Sequence, residues 1–259
     1  MRNRAEIKAE AKQLIRTGRA SPLVVTAIVL VVSFVLDRVV SLVEYGTLFP
    51  ASYISRYYDL LLSGELYSMD MEDLMALTNS LPAATLQSTF FSILVSLFMA
   101  VLMGGYYLYC MGLRQRVEMP YATLLDGLSV AGRLIWCSIL VYIKVFLWSL
   151  LFFIPGVVAA YRYRFAVYNV LTDSSLSASE AIRLSCQQTE GIKGELFFLD
   201  LSFIGWSILS SFTMGILDIW LQPYVTLCDL AYFEDAQIRL GRSPYGGEMP
   251  PPSGPSWEL

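Results

Sequence analysis

Histidine is missing from the 259-residue chain. That absence removes the commonest general base, the commonest zinc ligand and the side chain whose ordinary pKa lies nearest neutrality. No serine has a histidine to activate it, and the P-loop, G-x-G-x-x-G, G-x-S-x-G, H-E-x-x-H and H-x-E patterns are all absent. Cysteine is sparse. Cys110, Cys137, Cys186 and Cys228 lie in or beside apolar stretches without a C-x-x-C pair, which suits small buried hydrophobes better than disulfides or metal ligands. Charge is scarce too, at 15% of residues against about a quarter in soluble domains. An enzyme would have to work with carboxylates alone, and none are visibly paired, so the chain is expected to be non-enzymatic, with no cofactor and no metal.

What is abundant is apolar surface: 56% of residues are hydrophobic and the mean hydropathy is +0.55. Such a chain belongs in a bilayer, with room for about five to seven spans of roughly 20 residues. The expected fold is all-α, a polytopic transmembrane helical bundle of about six spans with interfacial amphipathic helices. Residues 1–240 form one domain, and the Pro-, Gly- and Ser-rich 241–259 a disordered cytoplasmic tail.

The net charge of −4 conceals a segregation along the chain. Arg2, Arg4, Lys8, Lys12, Arg16 and Arg19 precede the first span, whereas Glu44, Asp59, Glu65, Asp70, Glu72 and Asp73 crowd a loop over 44–85 whose one basic residue is Arg56. The positive-inside rule places both termini in the cytoplasm and that loop outside. A cleaved signal peptide fits poorly, because the leader is long, contains Glu6 and Glu10, and meets no A-x-A-like site before Asp37.

Residues 1–21 read as an amphipathic interfacial helix, with Ile7, Ala11, Leu14 and Ile15 on one face and Lys8, Lys12 and Arg16 positioned for the anionic inner leaflet. Pro22 to Val43 is the first span and Leu86 to Leu113 the second, with a short external helix between them over Met69 to Leu77. Tyr121 to Arg133 is amphipathic and leads into a third span, Leu134 to Ile154. Pro155-Gly156 then marks a reversal into a short fourth span, Val157 to Leu171; one long kinked helix is the alternative. Ser177-Ala178-Ser179-Glu180 has the form of a capping box opening a cytoplasmic helix. Phe197 to Gly215 and Ile219 to Ile238 complete six spans, the last containing Pro223. Trp148-Ser149-Leu150-Leu151 before Gly156 is echoed by Trp206-Ser207-Ile208-Leu209 before Gly215, as parallel repeats would produce.

The few charges inside the apolar run are the candidate site. An ionised group at a helix centre costs roughly 2.5 to 3.5 kcal/mol on insertion scales, so each must be paired, solvated or functional. At 1.5 Å per residue, Lys144 and Asp229 lie roughly 15 Å from the cytoplasmic ends of their spans, and Arg162, Arg164 and Asp200 about 8 to 15 Å in. Matching depth suggests Lys144 with Asp229, and Asp200 with Arg162 or Arg164. Such pairs either set helix register or line a polar cavity for an anionic head group or a coupling proton. Ser207, Ser211 and Gly215 form a small-residue ridge suited to close helix packing, and Tyr106, Tyr107, Tyr109, Tyr161, Tyr163 and Tyr168 suit an interfacial aromatic belt.

Ile154-Pro155-Gly156, Tyr161-Arg162-Tyr163, Tyr168, Asp173, Glu180-Ala181-Ile182 and Ser185 form one recognisable block. Leu199-Asp200-Leu201-Ser202-Phe203-Ile204-Gly205-Trp206, with Trp220 and Pro223-Tyr224, forms another. With Ile7-Lys8-Ala9 and Ala11-Lys12, they resemble the bacterial integral membrane family catalogued as domain of unknown function 975, over nearly the whole chain to about Leu240. More distantly, the pattern is similar to the membrane portion of some glycerophosphodiester phosphodiesterases, which is not their catalytic part. The chain departs from the family at Gly191 to Glu195. The resemblance implies a fold and a cytoplasmic-membrane setting without an activity. A non-enzymatic envelope or lipid-associated accessory protein or scaffold is the expected function, with membrane lipids and a membrane-protein partner rather than nucleic acid. A small transporter or permease around Arg162, Arg164 and Asp200 is the alternative, and a lipid-modifying enzyme the third.

Overall fold

The computed structural model describes residues 2–17, 21–48, 51–73, 75, 86–117 and 119–245. Every regular element among them is helical, so the chain is all-α. It divides into two compact units, Met1–Leu30 with Ala100–Leu259, and Val31–Met99. In chain order the helices are α1 (Arg4–Thr17), α2 (Pro22–Leu48), α3 (Ala51–Ser63), α4 (Leu86–Arg114), α5 (Thr123–Asp126), α6 (Ala131–Leu151), α7 (Phe153–Arg162), α8 (Ala166–Thr172), α9 (Ala178–Gln188), α10 (Lys193–Phe212) and α11 (Asp218–Arg239).

Among the described residues four stretches are long and apolar enough to cross a membrane: Pro22–Val43, Thr89–Arg114, Thr123–Leu151 and Lys193–Phe212. The expected fourth and sixth spans are not among them. The former is broken into α7 and α8 at Tyr163–Phe165, and α11 carries Asp218, Asp229, Glu234 and Asp235 within its 22 residues. α11 is a central helix of the larger unit, with Leu227, Leu230, Ala231, Phe233 and Ala236 fully enclosed.

The chain does reverse after α6, at a point slightly earlier than the sequence suggests. Phe152 is extended (φ −159°, ψ 154°) and α7 begins at once, with Pro155 inside its first turn, where its missing N–H leaves no helical bond unmade. Gly156 lies where a Cβ would sit 2.1 Å from the Ser149 hydroxyl and 2.8 Å from Ser149 Cα, so the hairpin closes on a glycine. α7 then returns along α6, burying Ala159 and Tyr163 with Cys137, while Ala166, Val170, Ala181 and Ile182 extend the same core into α8 and α9. α9 opens with both halves of its capping box: Glu180 N–H donates to Ser177 Oγ (3.3 Å) and Ser177 N–H to Glu180 Oε2 (2.9 Å).

α1 runs antiparallel to α11, as Arg2 bonds Asp235 at one end and Lys12 lies over the Tyr224 ring at the other. Ile7, Ala11, Leu14 and Ile15, the face expected to rest on lipid, are buried. In the smaller unit, the segment 44–85 expected as a loop contains α3 and a 3-10 turn, Glu65–Tyr67, separated by Gly64 at φ 77°. Of the expected external helix over Met69 to Leu77, residues 71–73 and 75 are helical and the others past 73 lie outside the described residues. The tail is described to Tyr245; residues 246–259, expected to be disordered, also lie outside.

Candidate functional site

The break between α7 and α8 aims one side chain at two other helices. Helix α9 holds the break: Ser185 Oγ donates to the Arg162 carbonyl (3.0 Å) and accepts from Phe165 N–H (3.1 Å), and Thr189 Oγ1 donates to the same carbonyl (3.3 Å). Backbone groups released by the broken helix are thereby satisfied, as burial requires. Arg164, inside the break, reaches α10 and α11 together. Its guanidinium forks onto Asp200 (2.6 and 2.8 Å) and donates to both carboxylate oxygens of Asp229 (2.8 Å each from Nη2). Tyr161 adds its hydroxyl to Asp200 (2.8 Å), and its ring lies 5.6 Å from the Arg164 guanidinium.

One guanidinium is therefore shared by two carboxylates, a formal excess of one acidic group. The sequence places Asp200 with Arg162 or Arg164, and the partner found is Arg164. The expected Lys144–Asp229 bridge does not form: Asp229 is taken by Arg164, and Lys144 is exposed on α6. Equal depth along two helices leaves open which way each side chain points around its helix, and Lys144 points away. Arg162 is also exposed, and takes part through its carbonyl alone among the bonds given above.

Beside this site Asn169 exchanges two hydrogen bonds with Gln188 (2.9 and 2.8 Å) and donates to the Ala181 carbonyl (3.1 Å), while Gln237 Nε2 lies 3.4 Å from its oxygen. These buried amides join α8, α9 and α11. The signal in the sequence is one amide within the apolar run Ala166–Leu171.

A second ionic group was not apparent from spacing. Arg114, its side chain 1% exposed, bonds Glu234 from Nε and Nη2 (2.5 Å each) and Glu10 (3.3 Å), and donates to the Leu227 carbonyl (3.1 Å). Arg2 meets Glu10 (2.9 Å), Glu234 (3.2 Å) and Asp235 (2.8 Å), and Tyr245 donates its hydroxyl to Glu234. Burial works against the Arg2 cation, but the bond and charge of Asp235 outweigh it, and its pKa is raised.

The basic face of α1 is turned in part to protein. Lys8 donates to Ser202 Oγ (2.6 Å) and lies 4.7 Å from the Phe203 ring centre; burial lowers its pKa. Lys12 lies 5.7 Å from the Tyr224 ring centre, and Arg16 is exposed. Among the described residues no three Cys, Asp or Glu side chains gather so as to hold a metal ion. The small ridge on α10 also differs from expectation. Ser207 and Ser211 are exposed and bond their own helix, at Phe203 O and Ser207 O (3.2 Å each).

The family model described as "Protein of unknown function (DUF975)" matches residues 1–239, nearly all the described chain. The chain belongs to this family. Both ionic groups of this DUF975 chain fall inside the matched region apart from Tyr245. No curated protein and no solved structure matches it, and the likeness to the membrane portion of glycerophosphodiester phosphodiesterases finds no support there.

Proposed function

We propose that this DUF975 member is a non-enzymatic multi-pass protein of the bacterial cytoplasmic membrane, with both termini inside, acting as an envelope or lipid-associated accessory protein or scaffold. The observation that carries this reading is the use made of Arg164. The guanidinium is held by two carboxylates from different helices, so its bonding capacity goes into fixing α8 against α10 and α11. A cation engaged in this way sets register and orientation.

Replacing Arg164 by Gln tests it. Two carboxylates would lose their shared partner, and removing one member of a buried pair costs about 3–5 kcal/mol. The amount of folded protein in the membrane is expected to fall sharply, and Arg164→Gln combined with Asp200→Asn and Asp229→Asn to recover most of it. A triple variant as depleted as the single one would contradict the register role.

Two carboxylates on one guanidinium favour one form of the alternative. A transport site here would take a cation or a proton, because Arg164 has no positive charge left over for an anionic head group. Parent protein in liposomes that moves protons or monovalent cations, with the triple variant folded and silent, would favour transport over the scaffold.

A further inference from the structure

Two helical hairpins of the larger unit end in turns covered with apolar side chains. At the α6–α7 turn Phe152, Phe153 and Ile154 are 70%, 81% and 74% exposed; at the α10–α11 turn Phe212, Met214 and Ile216 are 82%, 96% and 71% exposed. No charge lies between Lys144 and Arg162, nor between Asp200 and Asp218, so each turn sits inside an uncharged stretch. A turn that projects into water is ordinarily polar, and large exposed apolar patches mark contact with protein or membrane.

The backbone of the second turn meets the requirement that lipid imposes. Outside secondary structure a chain normally leaves N–H groups to water, and within lipid each such group must find a partner in the protein. Here Thr213 N–H donates to Ser210 O (3.0 Å), Met214 to Ser211 O (3.4 Å), Gly215 to Ser210 O (3.0 Å), Ile216 to Thr213 O (3.1 Å) and Asp218 to Gly215 O (3.0 Å), while Leu217 N–H donates to the Thr213 hydroxyl (3.3 Å). Every amide through the turn is thus satisfied internally. The nearest charge, Asp218, takes the Ser210 hydroxyl at 2.6 Å. Closing so tightly requires left-handed backbone at Gly215 (φ 82°) and also at Met214 (φ 53°), an uncommon conformation for a residue with a side chain. The first turn achieves part of the same economy by placing Pro155, which has no N–H, in the opening turn of α7.

We infer that both turns lie within the distal leaflet, in contact with lipid acyl chains, and do not emerge into the far aqueous phase. The inference rests on the membrane reading above and goes beyond it.

Spin labels at Phe153→Cys and Met214→Cys, with Ser68→Cys as the water-exposed reference and the parent chain as control for its own cysteines, test this in lipid vesicles. All three positions are exposed, so the substitutions remove no core contact. At 153 and 214, collisions with oxygen are expected to exceed those with a water-soluble nickel chelate several-fold, with the order reversed at 68. Protein retained after alkaline carbonate extraction, with the chelate reaching 153 and 214 as readily as 68, would overturn the inference alone. Protein released by carbonate would overturn the membrane reading and the inference with it.

Discussion

Gly105 shows how closely the helices of the larger unit are set. A Cβ there would lie 2.1 Å from the Leu124 carbonyl oxygen and 2.8 Å from Leu124 Cα, and one on Gly127 would lie 2.3 Å from the Val101 carbonyl oxygen. The obstacles are backbone atoms, which cannot rotate aside as a side chain does. Gly105→Ala is therefore expected to destabilise the protein by about 1–3 kcal/mol, the usual cost of overpacking. Gly205→Ala, where nothing lies within 4 Å, should leave the melting midpoint nearly unchanged, and thermal unfolding in detergent compares the two. At this scale the sequence was legible where partners are near along the chain, as with Ser177 and Glu180. It was illegible at Lys144, because depth along a helix does not determine azimuth around it. Arg164 was half legible: its apolar setting demanded a carboxylate, but two partners on separate helices could not be read from spacing.

Elements were legible where hydropathy alone shapes them, and less so where a distant side chain intervenes. The run Val157 to Leu171 reads as one short helix, yet the chain breaks at Tyr163–Phe165 because hydroxyls on α9 and at its C-terminal cap, Ser185 and Thr189, take over the freed backbone groups. The connection between α8 and α9 also receives the segment that follows α11. Asp173 Oδ1 accepts the hydroxyl and N–H of Ser175 (2.5 and 3.0 Å), and Oδ2 accepts from Arg242 (3.0 Å). The Ser175 bonds first, and Arg242 after them, hold the Asp173 pKa below its ordinary 3.8. A carboxylate with a depressed folded pKa contributes its full stabilisation above the unfolded value and loses it as pH falls through the folded one. Asp173→Asn should accordingly flatten the acid limb of the unfolding midpoint below about pH 4 and shift the neutral midpoint down slightly. Equal slopes for parent and variant in that acid range would contradict the assignment.

The larger unit is closed by a group of charges whose basic members read in the sequence as boundary markers. Arg114 reads as the inward end of a span and Arg2 as part of a basic leader, and Glu234 lies within the last helix. Folding brings all three together with Glu10 and Asp235, from parts of the chain as far apart as residues 2 and 235. Helical class and membrane character follow from composition, whereas this closure depends on tertiary contacts that no local pattern encodes. Its centre is Arg114, which serves Glu234, Glu10 and the Leu227 carbonyl at once. With Arg114→Gln, Glu234 and Glu10 would retain Arg2 but lose the buried cation, and α1 would lose one of its links to α11. The apolar contacts of Ile7 and Ala11 would remain. We therefore expect a partial effect: a lower melting midpoint and faster proteolysis of α1, with the candidate spans still protected in the membrane. Adding Glu234→Gln removes the carboxylate that Arg114 holds most closely and should restore part of the midpoint, as neutralising both members of a pair generally costs less than stranding one. If proteolysis of α1 in Arg114→Gln matches the parent, the charges do not hold this helix and its apolar face alone does.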